Sequence, residues 1–423
     1  MTPALPQGEA APRDGSLPAW VGSDPSDRAF GVYIHVPFCS VRCGYCDFNT
    51  YTASELGGGA SQRNYAQTAA QEILLARQVM DRAGYPPRPA STIFFGGGTP
   101  TLLPAQDLVS LVSTVRQTWG LADGAEVTTE ANPDSVTPHS MEILANGGFT
   151  RVSLGMQSVV PHVLATLERT HNPANVASAV RWAHEAGLEV SVDLIYGTPG
   201  ESMDDWRRSL DAAIATGAGH VSAYALTVEQ GTRMAVQVRR GDIELPSLDD
   251  QADKYEVADT VLSDAGYQWY EISNWARPRA DGELAVCRHN LAYWRGHDWW
   301  GIGPGAHSFM AGDPNAHDDA PSAGVRWWNV KHPIRYAHAL ENGQSPAAGR
   351  ELLTGDDAHL ERVMLGIRLR EGMPVQWVAE ERREVLASLI ARELIDARAV
   401  FAGRVQLTRS GRLMADAIVR DLT

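Results

Sequence analysis

The chain has 423 residues, of which 44% are hydrophobic and 21% charged, an ordinary composition for a soluble globular protein with a large core. Its net charge of −15 argues against a large phosphate-binding surface, so duplex nucleic acid is not an expected partner. No apolar run reaches the ~18–20 residues that span a bilayer, and the N-terminus lacks a signal-peptide pattern. With only four cysteines, the chain suits a reducing compartment, and we expect it in the cytoplasm.

Residues 1–28 are rich in Pro, Gly, Ser and Ala and have no periodicity, which predicts a disordered tail. From residue 29 to about 270, apolar strands alternate with amphipathic helices. The predicted strands are 32–36, 91–95, 126–130, 151–155, 190–195 and 220–226. The predicted helices are 64–84, 104–119, 138–146, 173–186, 202–216 and 248–265. This alternation implies parallel strands, in a doubly wound sheet or a barrel, with ligands at their carboxyl ends.

Two of the predicted helices carry recognisable start signals. Thr137 stands before Pro138, a pair typical of an N-cap followed by the first helical position. Ser202 stands three residues before Asp205, as in a capping box. These signals support the predicted starts of the third crossover helix at 138 and of the fifth at 202.

Three cysteines, Cys39, Cys43 and Cys46, follow the first predicted strand in a Cx3Cx2C pattern. Three thiolates from one loop suit a four-iron cluster, because they leave one iron without a protein ligand and free to bind a small molecule. A structural zinc site is the alternative, since His35 or Asp47 could supply the fourth ligand. Disulfides are less favoured, because the three cysteines lie too close together for several independent bridges.

Further motifs fall at the carboxyl ends of the following strands. Three glycines, Gly96, Gly97 and Gly98, precede Thr99 at the end of the second strand, where glycine lets the backbone approach a ligand or adopt unusual dihedrals. Glu130 ends the third strand, Gln157 and Arg169 follow the fourth, and Asp193 lies within the fifth. The carboxylates could accept hydrogen bonds from an ammonium or ribose group, and the arginine could pair with a carboxylate. Salt bridges at the mouth of a barrel are the structural alternative.

The composition changes after about residue 270. Residues 271–345 form an extension with six tryptophans, Trp275, Trp294, Trp299, Trp300, Trp327 and Trp328. Residues 346–423 are typical of a small, mainly helical module, with helices predicted at 357–370, at 382–394 and from about 410, and a strand at 404–407. A DNA-binding winged helix is the minor interpretation, because no Lys/Arg-dense stripe is present. We expect the module to cover the barrel mouth or to contact a partner.

Together, the Cx3Cx2C loop, the Gly-Gly-Gly-Thr-Pro turn, the Glu-Ala-Asn-Pro strand end and the Gly-Met-Gln-Ser segment resemble the radical S-adenosylmethionine (radical SAM) superfamily over about residues 30–423. They are most similar to the branch that contains oxygen-independent coproporphyrinogen III oxidase and the HemW haem chaperones. The resemblance implies an α/β fold with a partial (β/α)6 barrel. It also implies a 4Fe–4S cluster on Cys39, Cys43 and Cys46, whose open iron binds S-adenosylmethionine. An electron from the cluster would cleave this cofactor to methionine and a 5′-deoxyadenosyl radical.

The same resemblance implies which residues surround S-adenosylmethionine: Tyr33, Gly97, Gly98, Thr99, Glu130, Gln157, Arg169 and Asp193. In the oxidase, part of this set serves a second S-adenosylmethionine. The roles of Gln157, Arg169 and Asp193 therefore depend on how many molecules of the cofactor bind.

Two positions separate the oxidase from the haem chaperones. The oxidase pattern has a fourth cysteine two places after the third, whereas Phe48 stands there in this chain. The element His289-Asn-Leu-Ala-Tyr293-Trp294 matches the HNxxYW element associated with haem binding in HemW. Because neutral imidazole is a good axial ligand of haem iron, and aromatic rings pack on porphyrins, we predict haem ligation by His289.

Other interpretations of this region stay open at this point. A packed, hydrogen-bonded histidine is the structural alternative for His289. Cys287, His297 and His307 lie close by in sequence and could compete as haem ligands. The resemblance implies haem, apo-haemoprotein acceptors and a cellular reductant as partners, with transient membrane association. An oxidase that decarboxylates coproporphyrinogen III, or a radical enzyme with another substrate, are the alternative functions.

Overall fold

The structure is a computed structural model that describes residues 6–21, 28–56, 62–312 and 323–423. Its first six strands follow the prediction closely: β1 (Phe30–Val36), β2 (Ala90–Gly97), β3 (Leu121–Ala131), β4 (Arg151–Gln157), β5 (Glu189–Tyr196) and β6 (His220–Ala225). They pair in parallel and in sequence order, as in the predicted partial (β/α)6 barrel. In β1, Val32, Ile34 and Val36 are fully buried in the core, while Tyr33 between them faces the interior of the barrel.

Helices connect these strands: α1 (Ala53–Leu56), α2 (Gln62–Arg82), α3 (Ala105–Thr118), α4 (Pro138–Asn146), α5 (Pro161–Thr166), α6 (Ala174–Glu185), α7 (Met203–Ala215), α8 (Arg233–Arg240) and α9 (Leu248–Asp264). Short 3₁₀ turns lie at Pro100–Leu102 and Pro133–Ser135. Both start signals are confirmed, because the hydroxyls of Thr137 and Ser202 accept bonds from the backbone N–H of Ser140 and Asp205. The unpredicted α1, α5 and α8 have only four to eight residues, too few for a clear helical period.

The region after residue 267 continues the same sheet. It forms β7 (Gln268–Glu271), β8 (Asn274–Ala276), α10 (Arg288–Trp294), β9 (Asp298–Ile302), β10 (His307–Ala311), β11 (Gly324–Asn329), α11 (Pro333–Glu341) and β12 (Ala347–Leu353). The strand order is β12-β11-β10-β9-β1-β2-β3-β4-β5-β6-β8-β7. β9 is parallel to β1, and β10 to β12 add antiparallel strands beyond it. The sequence placed a boundary between the extension and the C-terminal module at residue 345. Because β12 follows that residue and belongs to the sheet, the sheet continues across this boundary.

The C-terminal module follows β12 and has its own core. It consists of α12 (Gly355–Gly366), β13 (Met373–Pro374), α13 (Glu384–Ala391), α14 (Ala397–Phe401), β14 (Arg404–Val405), α15 (Arg409–Leu413) and α16 (Ala415–Leu422). Two 3₁₀ turns, Val375–Trp377 and Glu380–Arg382, lie between β13 and α13. Ile367, Leu389 and Val405 are fully buried in its core, so the mainly helical prediction is confirmed.

The N-terminal segment corrects one expectation. Residues 6–21 are not disordered, because Glu9 and Arg350 exchange backbone hydrogen bonds of 3.0 and 2.9 Å along the edge strand β12, and Val21 is buried. Composition could not reveal this, since the bonds are made by backbone groups. The remainder of the predicted tail, 1–5 and 22–27, lies outside the described residues. None of the helices in the described ranges is long and apolar enough to cross a membrane.

Candidate functional site

The three cysteines lie in the loop after β1, at the carboxyl end of the parallel strands. The backbone N–H of Cys39 donates to the carbonyl of Tyr51 (3.0 Å), and that of Cys46 donates to the carbonyl of Cys43 (3.2 Å). The N–H of Thr99 donates to the carbonyl preceding Cys39 (2.7 Å), which fastens the loop to the glycine turn after β2. All three thiols are free, partly exposed and directed at one cavity.

The environment of these thiols fits an iron–sulfur cluster. Burial raises the pKa of Cys39 and raises that of Cys46 to about 11, so a metal must displace their protons before they become thiolates. Among the residues that the structure describes, no three His, Cys, Asp or Glu side chains converge on a point where one metal ion could bind. Thiolates of a four-iron cluster bind separate iron atoms and need not converge in this way. The thiols could serve either metal centre, so the preference for a cluster over zinc rests on the sequence.

The glycine turn after β2 packs directly on the cysteine loop. A Cβ on Gly98 would lie 2.4 Å from the carbonyl oxygen of Phe38, so the close approach of the two backbones requires glycine. Gly97 has φ of +110°, and a Cβ there would meet the His35 ring at 2.6 Å. The expected unusual dihedral is confirmed at Gly97, whereas Gly98 makes room for a neighbouring backbone, and the approach of a ligand to these glycines stays a prediction.

Two buried carboxylates, Glu130 on β3 and Asp193 on β5, face the same cavity. Glu130 Oε2 accepts a hydrogen bond from the N–H of Gly97 (3.2 Å), and Asp193 accepts one from the Ser153 hydroxyl (3.0 Å). Burial, and then the charge of Asp193, raises the pKa of Glu130 to about 8, and burial raises the pKa of Asp193. The charge of Arg169 offsets part of this effect at Asp193, and the backbone N–H of Gly97 offsets part of it at Glu130. This pair therefore suits a cationic ligand.

The other side of the cavity carries polar groups with spare hydrogen-bonding capacity. Arg169 donates from Nη2 to the carbonyl of Gly155 (3.1 Å) and lies 3.6 Å from Cys43 Sγ, but its buried Nε has no partner among the described residues. Gln157 has φ of +62°, an uncommon conformation for a residue other than glycine. The Tyr33 hydroxyl is hydrogen-bonded to His35 Nδ1 (3.0 Å).

The structure brings every predicted site residue to one cavity of about 590 Å³. The residues that line it include Tyr33, Cys39, Cys43, Cys46, Gly97, Gly98, Thr99, Glu130, Gln157, Arg169, Asp193 and His289. The two buried carboxylates beside the three thiols suit a sulfonium cofactor such as S-adenosylmethionine. The donor set is therefore compatible with the cluster and the cofactor that the sequence implies.

His289 lies at the inner end of the cavity and is only 1% exposed. Its Nδ1 is hydrogen-bonded to the Thr92 hydroxyl (2.7 Å) and its Nε2 to the Tyr293 hydroxyl (2.8 Å). The ring also stacks on Phe94, with centroids 5.2 Å apart, and burial lowers its pKa to about 3. Both ring nitrogens of His289 are therefore hydrogen-bonded in this conformation, as expected if His289 is a packed structural histidine rather than a haem ligand.

The inner wall of the cavity contains groups that the sequence reasoning did not single out. Arg151 is 1% exposed and pairs with Glu189 (2.8 Å) and more distantly with Glu126 (3.9 Å). Small hydroxyl side chains stand where closed barrels carry bulky branched ones, which leaves the interior open: Thr128, Ser153, Ser191 and Ser222. In the sequence, serines at alternate positions of otherwise apolar strands could have indicated this open interior.

Comparisons with known proteins agree with this geometry. A sequence model of the radical SAM superfamily matches residues 33–213. The chain is 48% identical over 397 residues to the heme chaperone HemW of Mycobacterium tuberculosis, which covers 93% of this chain and 95% of that protein. The heme chaperone HemW of Bacillus subtilis is 29% identical, with 92% of this chain and 97% of that protein covered.

Among solved structures, coproporphyrinogen III oxidase (HemN) from Escherichia coli superimposes with a TM-score of 0.74. The superposition covers 93% of this chain and 90% of the oxidase chain. The sequence identity is 22%, so the likeness concerns the fold. The α/β barrel and the three-cysteine loop after its first strand define the class of this molecule, a radical SAM protein. Within that class, the chain belongs to the HemW family.

Proposed function

We propose that this protein is a haem chaperone that holds a 4Fe–4S cluster and S-adenosylmethionine in its barrel and transfers haem to acceptor proteins. The observation that carries the proposal is the near-complete match, at 48% identity, to proteins named heme chaperone HemW. The cavity supports it, because it joins three free thiols to two buried carboxylates whose ionisation burial disfavours. A reducing cytoplasm is the proposed location, since it would keep these thiols available.

Cys39, Cys43 and Cys46 would hold the cluster. When bound, a cluster of this kind supplies one-electron chemistry to the S-adenosylmethionine on its open iron. Glu130 and Asp193 would neutralise the positive charge of that cofactor, which removes the cost of two ionised carboxylates in a buried wall. Because both carboxylates line the cavity, the cation would lie inside it.

The remaining wall residues would orient the cofactor. Gly97 and Gly98 keep side chains out of the space beside the cysteine loop, and Thr99 and Tyr33 border the same space. The unpartnered Nε of Arg169 is a donor suited to the carboxylate of the cofactor. The roles of Gln157, Arg169 and Asp193 depend on how many molecules of S-adenosylmethionine bind. A titration of the reconstituted protein with the cofactor measures that number.

Haem ligation by His289 stays a prediction. For His289 to bind iron, at least one of its hydrogen bonds to Thr92 and Tyr293 must break. Leaving a buried hydroxyl without a partner costs about 1–3 kcal/mol, which iron ligation would have to offset. The proposed acceptors are apo-haemoproteins, and the proposed electron source is a cellular reductant.

The alternative function is oxidation of coproporphyrinogen III. Phe48 stands at the fourth cysteine position of the oxidase pattern and is 60% exposed, so no thiol is available there. The likeness to the solved oxidase structure concerns the fold alone and does not favour this activity. The experiment described next therefore also assays oxidation of coproporphyrinogen III.

The experiment compares both activities in one preparation. The protein is reconstituted anaerobically with iron and sulfide, titrated with haem, and assayed in parallel for coproporphyrinogen decarboxylation in the presence of S-adenosylmethionine and a reductant. We expect about one haem per protomer and no decarboxylation above background. Robust decarboxylation without stoichiometric haem binding would refute the chaperone proposal. Cys43→Ala should lose the iron–sulfur absorbance, and a cluster that persists would refute the ligand assignment.

A further inference from the structure

The inner part of the barrel cavity, toward the amino ends of the strands, carries a second set of polar side chains. Residues two positions apart on a strand share the same face. Thr128 precedes Glu130 by two residues and Ser191 precedes Asp193 in the same way, so both lie about 6–7 Å deeper in the cavity than these carboxylates. We call this region the inner chamber; it is lined by Thr128, Arg151, Ser191 and His220.

The four side chains of the inner chamber come from adjacent strands and lie close together. Arg151 on β4 is the register partner of Thr128 on β3, and His220 on β6 is that of Ser191 on β5. Arg151 Nη1 donates to the Ser191 hydroxyl (3.1 Å). Burial, and then the positive charge of Arg151, lowers the pKa of His220. The inner chamber is therefore one polar region rather than four separate positions.

Three buried atoms of the inner chamber have no hydrogen-bond partner among the residues that the structure describes: Arg151 Nε, Thr128 Oγ1 and His220 Nδ1. These side chains are at most 1% exposed. The Glu126 carboxylate lies 3.9 Å from Arg151 Nε, beyond hydrogen-bond distance. An unpaired buried polar atom costs about 1–3 kcal/mol, so three of them in one chamber point to a ligand that supplies their partners.

All three atoms can donate a hydrogen bond. His220 is neutral, because burial lowers its pKa well below the ordinary value, so its ring carries one proton. Its Nε2 is hydrogen-bonded to the Tyr270 hydroxyl (2.8 Å), which also accepts a bond from the backbone N–H of Cys287 (3.2 Å). Since the Tyr270 proton has His220 Nε2 as its acceptor, the ring proton is assigned to Nδ1. With the Nε–H of Arg151 and the O–H of Thr128, the chamber offers three donors.

The charged groups around the inner chamber carry one net positive charge. Arg151 contacts the carboxylates of Glu189 (2.8 Å) and Glu126 (3.9 Å). Glu189 also accepts a bond from Arg279 (2.9 Å), and Glu126 lies 3.8 Å from Arg288. Three guanidinium groups thus face two carboxylates. One further carboxylate would balance this charge, whereas a phosphate group carries about 1.5 to 2 negative charges at pH 7.

We propose that the inner chamber binds the carboxylate group of a second ligand, which accepts hydrogen bonds from Arg151 Nε, His220 Nδ1 and Thr128 Oγ1. Such charge-assisted bonds are about twice as strong as bonds between neutral groups. The site goes beyond the proposed function, which assigns no ligand to these residues, and it lies deeper than the carboxylates that face S-adenosylmethionine. The carboxylate belongs either to a small organic acid or to a propionate arm of a porphyrin, and the test distinguishes the two.

The test is saturation-transfer NMR of propionate with the cluster-reconstituted, full-length protein. Saturating S-adenosylmethionine is present, so that any site for the cofactor's own carboxylate is already filled. Thr128→Val should weaken propionate binding by about tenfold, the loss expected for one hydrogen bond to a charged group. His220→Gln, which can keep the bond to Tyr270 but lacks Nδ1, should weaken it similarly.

Thr118→Val is the matched control. The hydroxyl of Thr118, at the end of α3 and outside the cavity, is also buried without a partner among the described residues. Both threonine variants should melt at the temperature of the unmodified protein, because neither hydroxyl has a bond to lose. Weaker propionate binding in Thr128→Val alone would therefore report the site and not a loss of stability.

Two results would overturn the proposal. A lack of saturable propionate binding, or equal affinities in Thr128→Val and Thr118→Val, would leave water as the occupant of the inner chamber. Phosphate that binds as tightly as propionate would contradict a site for a single carboxylate. Neither result concerns haem transfer, so this proposal and the proposed function fail separately.

Competition identifies the source of the carboxylate once propionate binding is established. Displacement of propionate by haem, but not by haem dimethyl ester, which lacks free carboxylates, would assign the group to a porphyrin. No displacement by either compound would assign it to a small organic acid.

Discussion

Glu130 and Asp193 lie on strands β3 and β5 and place two acidic groups in one buried wall. Each accepts a hydrogen bond from a neutral donor, Glu130 from the N–H of Gly97 and Asp193 from the hydroxyl of Ser153, and the charge of Arg169 also favours ionised Asp193. Burial makes ionisation of both carboxyls unfavourable, and each negative charge opposes the other. A positively charged cofactor reverses this penalty, so binding and ionisation of Glu130 should be coupled.

The first prediction is that the affinity for S-adenosylmethionine rises with pH. The pKa of Glu130 is raised to about 8, so below that pH the carboxyl is protonated, and the cation must displace a proton in order to bind an ionised partner. The affinity should therefore increase by up to about tenfold per pH unit below pH 8 and level off above it. Calorimetry of the reconstituted protein between pH 6.5 and 9 measures this slope. Glu130→Gln is the control for titration of the cofactor itself, and equal slopes in both proteins would contradict the coupling.

The second prediction concerns Gly98, whose Cβ position lies 2.4 Å from the carbonyl oxygen of Phe38. Gly98→Ala should push the glycine turn away from the cysteine loop, at a cost of about 1–3 kcal/mol, and lower the iron content after reconstitution. Gly219→Ala is the matched control, because its added methyl group meets only ordinary contact at 3.5 Å. Iron analysis and thermal melting measure both effects, and full cluster content in Gly98→Ala would show that the close approach is dispensable.

For individual residues, the sequence predicted which side chains line the cavity but not which hydrogen-bond partners they have. The strand-end rule places Glu130 and Gln157 at one edge of a parallel sheet, and in the structure both line one cavity together with Asp193 from within β5. The partners of His289 could not be read in the same way. Thr92 is 197 residues away, and its contact with the ring depends on how α10 enters the inner end of the barrel.

Helix α10 shows how one element closes the inner end of the cavity. The carboxylate of Glu126 on β3 accepts bonds from the backbone N–H groups of Arg288 (2.9 Å) and His289 (3.0 Å) at the start of this helix. Arg151, in turn, donates to the carbonyls of Ala285 (2.7 Å) and Val286 (2.8 Å) just before it. These bonds tie the HNxxYW element to strands β3 and β4.

The third prediction is that Glu126→Gln loosens this attachment. The change keeps the shape of the side chain but removes one charged acceptor for the two N–H groups, which should lower the free energy of unfolding by about 1–3 kcal/mol. Glu185→Gln, an exposed member of an i,i+4 pair on α6, should change stability by less than about 0.5 kcal/mol. Denaturant unfolding of both variants measures the difference, and equal stabilities would contradict the proposed role of Glu126.

The elements differ in how well their sequence predicts them. The six barrel strands are buried on both faces and separated by amphipathic helices, so periodicity and start signals locate them. The strands β9 to β12 were not predicted, because tryptophan, glycine and histidine stand side by side there and give no single period. Their place beside β1 depends on contacts between distant parts of the chain.

At the scale of the whole molecule, the C-terminal module is held against the barrel by contacts with several elements, among them α9 and β7. Arg412 forms an ion pair with Asp259 (3.0 Å), and its guanidinium lies 3.7 Å from the centre of the Trp269 ring. Arg409 reaches the same carboxylate at 3.3 Å. The module keeps its own core, and it is also joined to the barrel by the Arg295–Glu371 and Arg326–Glu361 ion pairs (2.9 and 2.7 Å), so the contacts of Arg412 are one part of its attachment.

The fourth prediction is that Arg412→Ala loosens the module without disturbing the barrel. Loss of the ion pair and of the cation–π contact should speed hydrogen exchange in α15 and α16 by about tenfold, equivalent to about 1.4 kcal/mol. Exchange in β1 to β6 and the cluster content should be unchanged. Arg420→Ala, an exposed arginine on α16, is the control. Equal acceleration in barrel and module would show that the two are one cooperative unit.

Transfer of haem is the most direct test of the proposed function. The reconstituted protein is loaded with one equivalent of haem and mixed anaerobically with an apo-haemoprotein whose activity reports haem uptake, while a parallel sample receives coproporphyrinogen III, S-adenosylmethionine and a reductant. We predict that the acceptor gains activity as the Soret spectrum of the donor disappears, and that coproporphyrinogen stays intact. Decarboxylation of coproporphyrinogen together with an acceptor that remains inactive would contradict the assignment as a haem chaperone.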